Sequence, residues 1–175
     1  VSSDVGSDET GIMVVALGTD GNGYVLEDGS DRMRPEEWAR KAIALYDKYD
    51  ADRIVAEVNQ GGEMVEATIR AQAPGRTIPY RAVHATRGKV IRAEPIASLY
   101  ELDKVYHADE FGNLEDQMCV FTTGFDRKAQ GWSPGRVDAL VWGLTDLFPQ
   151  MVKKKTPETP IHIPSRQALG ASRRF

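Results

Sequence analysis

The chain is poor in several things that would each have pointed to a function. It has one cysteine, Cys119, in 175 residues. An intrachain disulfide is therefore impossible, and a cysteine-built zinc site is disfavoured. No run of apolar residues approaches the roughly 18–20 needed to cross a bilayer, so no contact with a membrane is expected. The amino-terminal residues lack the basic-then-apolar layout of a secretory leader. These absences together fit a reducing, cytoplasmic setting. The pattern G-x-x-x-x-G-K-[ST] occurs nowhere, so a phosphate-binding loop of that type is missing. There is also no internal repeat and no low-complexity segment.

What is present suits one globular domain: 41% of the residues are apolar, enough for a real core. The net charge of −4 conceals an asymmetry. Residues 149–175 carry six basic groups against one acid, Glu158, while residues 1–148 carry 16 basic and 25 acidic groups, a net −9. The tail also holds Pro149, Pro157, Pro160 and Pro164 and has little apolar periodicity. It reads as a flexible or loosely docked extension of a domain spanning 1–148. A body of net −9 handles nucleic acid only through a local basic patch or through cations held by clustered acids.

Along the chain, IMVVAL (12–17), the turn residues Asp20-Gly21-Asn22-Gly23 and Tyr24-Val25-Leu26 predict a β-hairpin. Pro35 opens a helix whose apolar face is Trp38, Ala42, Leu45, Tyr46 and Tyr49. Ile54–Val58 predicts the most buried strand, running into Asn59-Gln60-Gly61-Gly62, and a helix follows to about Ala71. A strand at Tyr80–Val83, a helix from Val90 to Glu101, an edge strand at Lys104–His107 and a short helix at Leu114–Cys119 come next. After a polar loop over 122–131, Ser133-Pro134 supplies an N-cap and first position for a helix to Phe148. That helix buries Val137, Leu140, Val141, Leu144, Leu147 and Phe148. A hairpin followed by alternating helices and strands implies a mixed α/β sheet with helices on both faces.

One residue in this pattern is out of place. Glu57 sits at the end of the apolar strand, where an unpaired carboxylate costs several kcal/mol or loses its charge. A cation partner, a hydrogen-bond network or a metal is required. Sites in such sheets form outside the carboxyl ends of the parallel strands, where Glu57 lies, and the adjacent glycines allow close approach of a ligand. Asp138, in the first turn of the last helix, is a second candidate, though the helix macrodipole alone stabilises an acid there by about 0.3–1 kcal/mol. Asp4, Asp8 and Glu9 precede the first strand, and Asp8 also suits an Asx turn. Carboxylates from a loop, a strand end and a helix start that converge on one point would suit Mg²⁺ or Mn²⁺.

Five stretches, SDETGIMVVALG (7–18), RMRPEEWARKAIALYDKYDADRIVAEVNQGGEMV (32–65), HATRGKVIRAEPIASLYELDKVYH (84–107), LEDQMCVF (114–121) and SPGRVDALVWGLTDL (133–147), resemble the nuclease domain of the large terminase subunit of tailed phages, in order and in spacing. The resemblance implies an RNase H-like fold and a two-metal, Mg²⁺- or Mn²⁺-dependent endonuclease that cuts concatemeric double-stranded DNA during packaging, in the cytoplasm of a bacterial host. It maps family acids, catalytic and metal-ligating, onto Glu57 and Asp138, and a recurrent position near the site onto Asp8. It also implies a packaging ATPase domain, a portal and a small terminase subunit as partners. The family's first strand, which ends in Asp-Pro and supplies the leading aspartate, is missing from the chain. Weak metal binding and poor cutting are therefore expected unless Asp4 or Asp8 substitutes. Alternatives are another RNase H-like nuclease, of the resolvase or transposase kind, and a non-catalytic module docking to a portal or motor partner.

For DNA, Arg87, Lys89 and Arg92 stand near a helix start, within reach of phosphates. Arg136 would meet the scissile phosphate or neutralise a carboxylate, and Lys104 would add a contact from the edge strand. No base-reading motif is present, so steep salt dependence and little sequence preference are expected. Trp38 and Trp142 read as packing residues within helices, and Trp132 as the better surface contact. His84 and His107 read as packed or surface residues.

Overall fold

The structure, a computed structural model, describes residues 9–58, 63–121 and 133–152. Asp4, Asp8, Asn59–Gly62, the 122–131 loop, Trp132 and the tail from Lys153 onward lie outside these residues.

The expected hairpin forms from β1 (Met13–Leu17) and β2 (Gly23–Asp28), paired antiparallel with a bulge between Val14 and Val15. Its turn places Gly21 at φ +78°, a conformation glycine adopts without strain. Asp20 closes the turn by accepting from the Asn22 amide at 3.0 Å and the Tyr24 hydroxyl at 2.7 Å. β3 (Ile54–Glu57) and β4 (Tyr80–Val83) pair parallel, joined by the crossover helix α2 (Glu63–Gln72). β5 (Val105–His107) pairs parallel to β2 at the sheet edge. The other helices are α1 (Pro35–Lys48), α3 (Lys89–Glu101), α4 (Gly112–Val120), α5 (Gly135–Leu147) and the short α6 (Pro149–Val152). The chain thus stays helical a few residues past the expected domain boundary at 148.

Three expectations need correction. β3 is half-buried along its whole length rather than the most buried strand; only the next residue, Val58, is fully buried. The reason is pairing: among the described residues β3 has a partner on one side only. On α1 the expected face is there, with Leu45 buried and Trp38, Ala42, Tyr46 and Tyr49 half-buried, but it is wider than expected, since Ala39 and Ile43 are buried too. In α5, Pro134 is the cap residue and Gly135 the first helical one, with no side-chain cap bond from Ser133.

The strands fall into two sheets, β1-β2-β5 and β3-β4, and α5 lies across β1 and β3. One core cluster gathers Val25, Val105, Ile96, Leu99 and Leu114 under the α5 stripe Val137, Leu140, Val141 and Leu144. A second joins Ala39 and Ile43 of α1 to Ile69 and Ala73 of α2, over Ile54 and Tyr80. Gly143 lets α5 seat on β1, since a Cβ there would stand 2.7 Å from Val15 Cγ2.

The register of α5 fixes strand directions. Its start packs on Gly11, its middle on Val15 and its end on Gly23, while Trp142 reaches Glu57 and Asp146 reaches Arg53. β1 therefore runs along α5 from start to end, and β3 runs the other way. β2, β3, β4 and β5 share one direction, and their carboxyl ends lie beside the first half of α5.

Candidate active site

At those carboxyl ends the last residue of β3 and the first turn of α5 bring two acids together. Glu57 Oε2 and Asp138 Oδ1 both accept from the same nitrogen, Arg92 Nη2, at 3.4 and 2.5 Å. Their side chains are 19% and 13% exposed and that of Arg92 is 9% exposed, so this is a nearly dry ion cluster. Lys89 Nζ takes the other Asp138 oxygen at 2.9 Å. The Trp142 indole N–H donates to Glu57 at 2.6 Å, and the Arg92 guanidinium lies 4.7 Å from the centroid of that indole ring. The charge at the end of β3 is thus answered by a cation and a hydrogen bond at once.

Trp142 was not expected here, having read as a packing residue. The signal was available: it stands four residues after Asp138, and helix positions i and i+4 share a face. Arg92 and Lys89 were expected to reach phosphates, and the structure brings both to the carboxylates, with Arg87 exposed beside them. Of the three acids expected to converge, Glu57 and Asp138 do so, while Asp8 lies outside the described residues.

Arg136 and Lys104 are elsewhere. Arg136 is 7% exposed. Its two terminal nitrogens bond separately to Glu9 and to Asp28, and Gln117 accepts from its backbone amide at 3.1 Å. Burial alone would lower its pKa, but the bonds to Glu9 and Asp28 outweigh that and raise it. Of its two expected roles, phosphate contact and carboxylate neutralisation, the structure has the second, and both ends of the guanidinium are occupied. Lys104 precedes β5 at the opposite end of the sheet, where its carbonyl accepts from the Gly23 amide and its ammonium reaches Asn22 at 3.3 Å. Gly23 packs on Phe148, ten residues along from Asp138, which at 1.5 Å per residue is about 15 Å away. His84 is exposed, and the part-buried His107 bonds Tyr100 and Glu115, joining β5 to α3 and α4.

The two carboxylates meet at one cationic nitrogen, and their hard oxygens are of the donor type that Mg²⁺ and Mn²⁺ prefer. Among the described residues no cluster of three or more His, Cys, Asp or Glu that could hold a metal ion exists.

An α/β domain with parallel strand ends carrying an acid opposite an acid on the last helix is the RNase H-like arrangement. The model of the family described as the terminase RNaseH-like domain matches residues 2–147, and the chain belongs to that family. Its fold is similar to that of the yeast mitochondrial Holliday junction resolvase Ydc2, with a TM-score of 0.51 at 11% identity, over 85% of this chain and 78% of the resolvase. No curated protein matches the sequence significantly. RNase H-like nucleases generally use divalent metals, consistent with the donor set found here.

Proposed function

We propose that this domain is the metal-dependent DNA endonuclease of a viral packaging terminase, cutting concatemeric double-stranded DNA with little sequence preference. The observation that carries the reading is the pairing of Glu57 and Asp138 around one cation at the strand ends. A divalent ion bound there would supply Lewis acidity for attack by water and for the leaving oxygen. Glu57 and Asp138 would hold the ion, and Trp142 orients Glu57 through its indole N–H. Lys89 and Arg87, at the start of α3, take the phosphates that flank the cut, with backbone contacts only and hence no base readout. Asp8 is the nearest sequence candidate for a further ligand. A packaging ATPase domain, a portal and a small terminase subunit are the partners this role requires.

The test is Mn²⁺ titration together with nicking of a supercoiled plasmid. Slow nicking is expected, and Glu57→Gln and Asp138→Asn should each lower both Mn²⁺ affinity and nicking by at least about tenfold, about 1.4 kcal/mol. Binding and nicking indifferent to both changes would rule the reading out. Equal cutting of linear duplex and plasmid is expected; a strict requirement for four-way junctions would favour a resolvase instead.

A further inference from the structure

Arg92 is held more tightly than any other cation of the site and is also the least satisfied. One of its nitrogens serves both Glu57 and Asp138, a second reaches the Arg87 carbonyl at 3.3 Å, and Nε is buried with no hydrogen-bond partner. A guanidinium offers five N–H donors, and leaving a buried one unpaired is costly. The position is unfavourable in a second way. Arg92 and Lys89 occupy the first turn of α3, which contains no acid. The partial positive charge of a helix N-terminus repels cations placed there. The carboxylates are the charged groups that hold Arg92 inward, beside the Trp142 ring and the Arg87 carbonyl, and their oxygens are also the donors a divalent ion needs.

We infer that Arg92 is a built-in competitor for the metal: it pins Glu57 and Asp138 together in the metal-free protein and is expelled toward the DNA backbone when the ion arrives. This rests on the metal-site reading above. A divalent ion would neutralise the two anions that retain Arg92, and would add its own repulsion to that of the helix N-terminus. Displacement of the guanidinium is what frees the carboxylates. The first turn of α3 then carries the displaced charge out beside Arg87, where a phosphate would accept it. Arg92 thus acts as a positioning residue in one state and a phosphate contact in the other.

The exchange has a signature that a static salt bridge lacks, namely opposite changes in metal and DNA affinity. By calorimetry on the full chain, Arg92→Gln should bind Mn²⁺ about tenfold more tightly than the unmodified protein. In Ca²⁺ the same variant should bind a fluorescein-labelled duplex more weakly, with the salt slope reduced by about one. Arg92→Lys, which keeps the charge without the forked donor, should fall between. A measurement on the unmodified protein covers the case in which Arg92→Gln does not fold. Mg²⁺ should change Trp142 emission, isolated as the difference from Trp142→Phe, because the cation leaves the indole face. Unchanged or weaker Mn²⁺ binding by Arg92→Gln, with Glu57→Gln still weakening it, overturns the exchange and leaves the metal site standing. An unresponsive Trp142 in protein that binds Mn²⁺ does the same. Mn²⁺ binding insensitive to Glu57→Gln overturns both.

Discussion

Among the described residues two arginines each sit between two carboxylates, and they are built differently. Arg136 gives one terminal nitrogen to Glu9 and the other to Asp28, joining the start of α5 to the segment before β1 and to the end of β2. Arg92 gives a single nitrogen to both Glu57 and Asp138, leaves Nε unpaired, and shares its anions with Lys89 and Trp142. The first arrangement matches donors to acceptors and works as a staple. The second crowds three donors, Arg92, Lys89 and Trp142, onto its two anions, the arrangement the proposed exchange requires. Burial does not separate the two, since both arginines are almost fully enclosed; the pattern of donors does.

The largest expected effect follows from breaking the staple. Arg136→Met leaves Asp28 and Glu9 without their cation in a mostly buried setting, and loss of one partner of a buried pair typically costs about 3–5 kcal/mol. At the lower figure, for a chain of this size, Tm should fall by roughly 6–12 °C in a thermal melt. Arg92→Gln should cost clearly less, because Lys89 still pairs with Asp138 and Trp142 still donates to Glu57. Equal losses from the two substitutions would erase the distinction.

Next in size is the seating of α5, on which both clusters depend. Gly143→Ala would push a methyl into Val15, an overpacking cost of about 1–3 kcal/mol, partly offset by the better helix propensity of alanine. A Tm lower by a few degrees is expected. Displacement of Trp142 from Glu57 should accompany it, visible as a shifted indole N–H resonance.

The smallest effect concerns an ion pair of ordinary surface type, a control for both. The hydrogen bond from Lys48 at 2.5 Å, and then that from Tyr49, hold Glu27 below its usual carboxylate range of 4.5. Its stabilisation is therefore present above pH 4.5 and is lost as pH falls through the lowered value. Glu27→Gln should lower the neutral-pH Tm slightly, leave the Tm at acid pH unchanged, and so flatten that acid limb of a Tm-against-pH curve.

Much of this organisation can be read from local patterns. The hairpin follows from Asp20-Gly21-Asn22-Gly23, α1 from Pro35 and α5 from its four-residue apolar stripe, all features set by neighbours in sequence. Glu57 and Asp138 stood out for the same reason, as acids at a strand end and in a helix first turn. What stayed hidden depends on contacts across the chain. The half-burial of β3 depends on how many strands pair with it, which no residue within it encodes. The roles of Arg92 and Arg136 look alike in sequence, a basic residue near a helix start in each case. They separate only through partners 35 to 127 positions away. Trp142 is the intermediate case: its spacing from Asp138 placed it on the right face, but nothing local distinguished a hydrogen-bond donor to Glu57 from a packing residue.

The most direct test of the central claim, that Glu57 and Asp138 form a cation site which Arg92 fills in the metal-free protein, is the anomalous diffraction of crystals soaked in Mn²⁺. The expected result is a peak flanked by the Glu57 and Asp138 carboxylates, with the Arg92 guanidinium moved out from between them. A peak elsewhere, or Arg92 still bridging the two acids at saturating Mn²⁺, would contradict it.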